Sequence, residues 1–302
     1  MPGVGDRQLL WIDLDGRDHE DLRAIASAVE LEPSLVRLLG TAPERADMTT
    51  YPEHVHLILQ SMEQADPEAK DSRTLTRKPI DVVAGRNWLV TVHDGPLRAF
   101  DRIDASTEGE TRLGALDAAG FMASIADEVL ADYLELAEGI EREIDQLDEL
   151  ALRRRREENV LADIVALRRR IGLIRRTLAP HRVAFAAFAR PEMELYKDLG
   201  KPWPGLTEHL DRTLEAIENL RELLLGTFDI LMGRQGQDAN EVMKVLTILS
   251  AVLLPAVVLA GVMGMNFQMD FFNDTNNFWV AIGAMVASAA TILLVARWRH
   301  WL

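Results

Sequence analysis

With 302 residues the chain is long enough for two domains, and the absence of cysteine excludes both disulfides and thiolate metal sites. A net charge of −15 argues against nucleic acid as a partner and suits a protein that concentrates cations around itself. Seven scattered histidines do not make a metal centre by themselves; His54 and His56 would share one side of a strand, but no third ligand stands near them.

Gln8 to Asp15 predicts a strand, stopped by Asp15-Gly16. Asp13-Leu14-Asp15-Gly16 after an apolar strand resembles the opening motif of haloacid-dehalogenase-like phosphatases, in which the first Asp is the nucleophile. That fold needs an alternating series of strands and helices, which the long helical patterns downstream do not supply. Leu22, Ile25, Ala26 and Val29 give His19 to Val29 the spacing of an amphipathic helix, and Pro33 to Leu39 predicts a second, shorter one. Strand character then extends from Tyr51 to Ile103: Val55 to Leu59, Thr74 to Val83 around Pro79, and Trp88 to Val92 between the turns Gly85-Arg86-Asn87 and Asp94-Gly95-Pro96. Residues 1–112 are therefore expected to form an α/β domain.

Residues 113–204 read as helical. Leu116 to Leu152 carries Ile125, Val129, Tyr133, Leu136, Ile140, Ile144 and Leu147 at three- and four-residue steps. Asn159 to Ala189 repeats the pattern, with a bend expected at Pro180. The arginines at 153–156, 168–170 and 175–176 read as solvated faces paired with the many carboxylates rather than as a nucleic-acid patch. After Pro202 and Pro204 a third helix begins near Leu206 and finds no stop before Met263, Gly233 and Gly236 weakening the pattern without ending it. Its length would be ~87 Å at ~1.5 Å per residue.

Val245 to Met263 contains no charged residue, the length a helix needs to cross ~30 Å of hydrocarbon, and Phe278 to Ala296 is a second such run. Arg234 and Lys244 precede the first run and Arg297 and Arg299 follow the second, whereas the loop between them holds Asp270 and Asp274 and no basic residue. The positive-inside rule then places both termini in the cytoplasm, with Trp298 and Trp301 as interfacial anchors. The expected map is a stalk helix continuing into the first span over 205–263, an external loop over 264–276, a second span over 277–297 and a cytoplasmic tail over 298–302.

Asn240-Glu241-Val242-Met243-Lys244-Val245-Leu246-Thr247, leading into a span that ends Gly264-Met265-Asn266, resembles the CorA family of divalent-cation channels. That family's signature is Gly-Met-Asn at the outer end of the first span, and its soluble domain carries a strand similar to Leu89 to His93. The resemblance implies an α+β membrane protein of the inner membrane: a cytoplasmic α/β domain, a long helical stalk, two C-terminal transmembrane helices and a funnel-shaped homopentamer. Its cargo would be Mg²⁺, and Co²⁺ with it; the protein would be no enzyme and need no organic cofactor. Mg²⁺ keeps its waters tightly, so Asn266 amide oxygens with Gly264 carbonyls would accept hydrogen bonds from a hydrated ion, and Met265 completes the selectivity motif. By the same resemblance Asn240 forms a second polar ring, Met243 and Leu246 an apolar gate and Asp229 an acidic ring at the inner mouth. Asp270 and Asp274 would raise the cation concentration outside. Regulatory Mg²⁺ bridging carboxylates between subunits is implied too, although no motif says which acids hold it. Met263 stands where the family often has Tyr, Gln268 where an acid is usual, and Val257 at a position that can carry Thr. A proton-coupled Zn²⁺ transporter of the ZntB branch is the alternative, with a non-transporting membrane sensor behind it.

Overall fold

The first described elements are β1 (Leu10–Asp15), at the apolar run ended by Asp15-Gly16, and helix α1 (His19–Val29), where periodicity predicts it. Asp18 caps α1 by accepting from the Glu20 N–H at 3.0 Å, and Glu30, left-handed at φ 56°, closes its far end on the Ala26 carbonyl. Helix α2 (Pro33–Leu39) opens on Pro33, whose missing N–H has no partner to lose there. This computed structural model describes residues 9–64, 74–107, 117–152, 159–189, 203–265, 275–299 and 301.

Strands β2 (Asp47–Thr50), β3 (Val55–Gln64), β4 (Leu75–Ala84) and β5 (Trp88–His93) join β1 in a five-stranded sheet of order β1-β5-β4-β3-β2. The β1–β5 pair is parallel and the others are antiparallel. Alternation along β1 and β5 sorts their side chains. Leu10, Ile12, Leu14, Val90 and Val92 meet Leu22, Val29, Leu35 and Leu39 of α1 and α2 on one face. On the other, Trp11 meets Phe100 and Phe121 edge-on at 5.7 and 4.9 Å. That second face is covered by α3 (Arg98–Thr107) and the long α4 (Ala118–Leu152), whose Met122, Ile125, Val129 and Tyr133 are fully buried. Every residue of β5 is buried because it lies between two helical layers.

Three sequence expectations change here. Residues 98–107 are a helix, not a continuation of strand character to Ile103: Asp94-Gly95-Pro96 ends the sheet, and Leu97, Phe100 and Ile103 recur at helical spacing and are buried. Strand β3 runs to Gln64, beyond Leu59, because its polar half finds partners from distant chain. β2 covers β3 only at residues 55–58. At Gln60 the exposed edge is closed by side chains, the His181 Nε2 accepting from the Gln60 N–H at 3.0 Å and the Tyr133 hydroxyl donating to the Gln60 carbonyl at 2.7 Å. Pro79, opposite Gln60, sits just past the Ile80–His93 end of the β5 ladder, where no N–H is required. Finally, Pro180 divides the predicted Asn159–Ala189 helix instead of bending it. Helix α5 (Val160–Leu178) is capped by Ala179, and α6 (His181–Ala186) starts after Pro180 and runs into a short 3₁₀ turn, Ala187–Ala189.

Two arginines of α5 pair with acids as expected, Arg170 holding Glu143 at 2.7 and 2.8 Å and Arg175 reaching Glu218 at 3.3 Å, whereas Arg176 donates to the Gly172 carbonyl at 3.1 Å and 153–156 lie outside the described residues. Helix α7 (Trp203–Met263) is 61 residues long, beginning just before the expected Leu206 and continuing through Gly233, Gly236 and Pro255. Pro202 lies outside the described residues. Helix α8 (Thr275–Trp298) follows. The chain forms two compact units, residues 1–228 and 229–302, so α7 contributes to both. In the first unit it buries Trp203, Leu206, Leu210, Thr213, Ile217, Leu220, Leu224 and Thr227. The two threonines can be buried because their hydroxyls donate to His209 and Leu223 carbonyls one turn back.

Candidate functional site

In the second unit α7 and α8 are the two helices long and apolar enough to cross a membrane. Three of their polar side chains bond within the helix: Thr247 donates to the Met243 carbonyl at 2.7 Å, Thr291 to Ala287 at 2.8 Å and Ser288 to Met285 at 2.8 Å. Hydrocarbon offers no other partner, so a hydroxyl in a span takes the backbone carbonyl below it.

Burial divides the surface of α7. Lys244, Ile248, Val252, Pro255, Ala256, Leu259 and Met263 are partly covered and recur every three or four residues. On α8 the covered positions are Asn277, Ala281, Met285, Ser288, Ala289, Ile292 and Ala296. The small residues of the α8 stripe are the kind that let membrane helices approach closely. Everything else on this part of α7 is exposed within one chain, including Met243 at 60% and Leu246 at 54%.

The exposed side carries its own order. Asp229, Gly236, Asn240, Met243, Thr247, Ser250, Leu254, Val257 and Gly261 follow one another at steps of seven, four or three. At about 100° per residue they form a stripe about 150° around the helix from the covered one. Asp229, Asn240 and Met243, three residues expected to act together, are therefore brought onto one face. Leu246 lies about 70° to one side of that stripe, at its margin. Thr247 and Ser250 figured in the sequence only as interruptions of an apolar run. Steps of four and then three from Met243 place them in the same line.

At the top of α7, Gly264 returns its N–H to the Ala260 carbonyl at 2.9 Å and Met265 to Val262 at 3.2 Å. A Cβ on Gly264 would stand 3.3 Å from the Ala260 oxygen, so glycine lets the helix close this tightly. Asn266, Asp270 and Asp274 lie outside the described residues.

The other motifs resolve into structural ties. Asp13 accepts from the Thr91 hydroxyl with one oxygen and faces His93 Nε2 at 3.2 Å with the other, joining β1 to β5. A nucleophile engaged on both oxygens by its own fold is a poor match to the phosphatase motif. Burial pushes the His93 pKa down, but the Asp13 carboxylate and the Gly95 carbonyl at 2.8 Å more than offset it, and the net shift is upward. Both ring nitrogens thus face acceptors, the arrangement of an imidazolium. His56 is bound to Asp81 at 2.7 Å, which also holds Arg17 at 2.7 Å, while His54 stacks on Tyr51 at 4.8 Å. Among the described residues no three His, Asp or Glu side chains are grouped to hold a metal ion.

Comparison with known proteins places this geometry. The family model described as CorA-like Mg²⁺ transporter protein matches residues 6–297. The cobalt/magnesium transport protein CorA of Thermotoga maritima is 22% identical over 296 residues, covering 97% of this chain and 83% of that protein. The complete structure of the CorA magnesium transporter from Methanocaldococcus jannaschii superposes with a TM-score of 0.80 at 19% identity, over 98% of this chain and 92% of that one. The full-length CmaX protein does so with a TM-score of 0.68 at 23% identity, over 96% and 88%.

Proposed function

The chain belongs to the CorA-like Mg²⁺ transporter family, and from that premise we propose that it is a channel conducting Mg²⁺, and Co²⁺ with it, down the electrochemical gradient across the inner membrane. The observation that carries this reading is the single exposed stripe from Asp229 to Gly261, on the side of α7 opposite its partly covered residues and leading to Gly264-Met265. A 3.5-residue repeat is the seam by which parallel helices wind around one axis. Five copies so arranged would line a path with α7 and turn α8 outward to lipid.

Along that path each residue has a task set by the ion. A hydrated divalent cation presents water hydrogens to the wall. Asn266 and the Gly264 carbonyls would accept them at the outer mouth, with Asp270 and Asp274 drawing cations to it. Asn240 would accept them again below, Met243 and Leu246 would close the path by dewetting when the bundle narrows, and Asp229 would hold cations at the inner mouth. The membrane potential supplies about 2.3 kcal/mol per charge per 100 mV, enough to drive a divalent ion inward without a second gradient. Both termini then lie in the cytoplasm. Cytoplasmic Mg²⁺ would close the channel by screening carboxylates of neighbouring subunits, since the unscreened acids repel.

The test is flux into liposomes holding purified protein, Mg²⁺ against Zn²⁺, with and without a pH gradient, wild type beside Asn266→Ala. Mg²⁺ influx that follows the membrane potential, ignores pH and is lost in the variant is the expected result. Zn²⁺ influx that needs the proton gradient would replace the channel with a coupled transporter, and no flux of either ion would leave a membrane-anchored sensor.

A further inference from the structure

Within the channel just proposed, on which this step rests, the hydroxyls of Thr247 and Ser250 occupy the face that carries Asn240 and Met243, inside an otherwise apolar span. Both residues are exposed within one chain and lie on the side of α7 opposite its partly covered stripe, so packing within the chain does not account for them. The Thr247 hydroxyl proton is committed to the Met243 carbonyl at 2.7 Å. What remains outward is an oxygen with lone pairs and no proton to give, an acceptor only. Water bound to a cation through its oxygen directs both hydrogens outward and needs such acceptors.

Spacing gives the pair its value. At ~1.5 Å per residue Thr247 stands about 6 Å and Ser250 about 10 Å above Met243, with Leu254 about 16 Å above it. Were both apolar, the face from Met243 to Val257 would be dry for about 21 Å, a stretch over which a hydrated ion meets no partner for its water shell. We infer that Thr247 and Ser250 form a mid-membrane station for the hydrated divalent cation, accepting hydrogen bonds from its waters and dividing the apolar path in two between Met243 and Leu254.

Thr247→Val keeps the shape and removes the acceptor, and Ser250→Val removes the acceptor one turn higher while adding a methyl group. Each is expected to lower Mg²⁺ influx into liposomes about tenfold, roughly the equivalent of one lost hydrogen bond, while Thr247→Ser stays near wild type. Because the chain has no cysteine of its own, Ser250→Cys gives a second measurement independent of how well the valine variants assemble. A charged, membrane-impermeant thiosulfonate should label it and block flux, whereas Ile248→Cys on the partly covered stripe should stay unlabelled. Wild-type flux in both valine variants, or an inert Ser250→Cys beside a reactive Asn240→Cys, would overturn the station and leave the channel intact. Absence of flux in wild type would instead remove the channel, and the station with it.

Discussion

His181 is fully buried between a donor and an acceptor: its Nδ1 donates to the Leu178 carbonyl at 3.0 Å and its Nε2 accepts from the Gln60 N–H at 3.0 Å. Both bonds require the neutral ring, and burial lowers its pKa from 6.5 to about 4. The unfolded chain takes up a proton near 6.5 and the folded chain only near 4. Stability from this residue is therefore complete above pH 6.5 and declines as pH falls toward 4, by about 3 kcal/mol at most. His181→Gln should be less stable than wild type at pH 7.5, and the gap between their melting temperatures should close by pH 4.5. A gap that stays constant would mean that His181 does not titrate in this range. His93 has the opposite sign. Its raised pKa lends stability at pH values below the ordinary histidine value, and that contribution fades as pH rises through the folded value. Asp13→Asn should abolish this second dependence and leave ion flux unchanged, since Asp13 ties β1 to β5 and has no place on the ion path.

The elements of the soluble unit were legible where one residue pattern decided them. Leu22, Ile25, Ala26 and Val29 define α1 by themselves, and Trp88 to Val92 could only be a strand between its two turns. Elements whose stability comes from elsewhere in the chain were not. Strand β2 is Asp47–Thr50, a polar sequence held by pairing with β3, and the second half of β3 depends on groups from α4 and α6. Tyr133 shows how strongly. Its hydroxyl is the partner closing the Gln60 carbonyl on an edge that β2 leaves uncovered. Tyr133→Phe leaves a buried carbonyl unpaired, at a cost of about 1–3 kcal/mol. Chemical unfolding followed by far-ultraviolet circular dichroism should show a lower midpoint with an unchanged denaturant slope. An unaltered midpoint would mean that water reaches this edge and replaces the hydroxyl.

At the scale of the whole molecule the reasoning turns on what one chain cannot do. The two spans were visible as uncharged runs, because the demands of hydrocarbon are written in composition, whereas Gly264-Met265-Asn266 stood out only through its resemblance to the family's signature. The face of α7 that carries Asn240 was not visible in the same way. An apolar helix has no hydrophobic periodicity to reveal its phase, and only the partial burial of Lys244, Ile248, Val252 and Leu259 shows which side is covered within the chain. Once that side is assigned, one chain leaves Asp229, Asn240, Thr247 and Ser250 uncovered. In a membrane such polar positions belong in a bundle interior or a water-filled path, not against lipid. Two helices cannot enclose a path, so the proposed channel needs neighbouring copies. Light scattering on detergent-solubilised protein is expected to give five protomers of 33.8 kDa each. Met243→Asp, which places a wettable ring where the apolar constriction is proposed, should raise Mg²⁺ leak through that assembly severalfold without changing its mass, because dewetting and not assembly is what the methionine controls. A monomer would leave the polar stripe facing lipid and end the pore reading, whereas a pentamer in which Met243→Asp conducts no better than wild type would move the gate to another ring of α7.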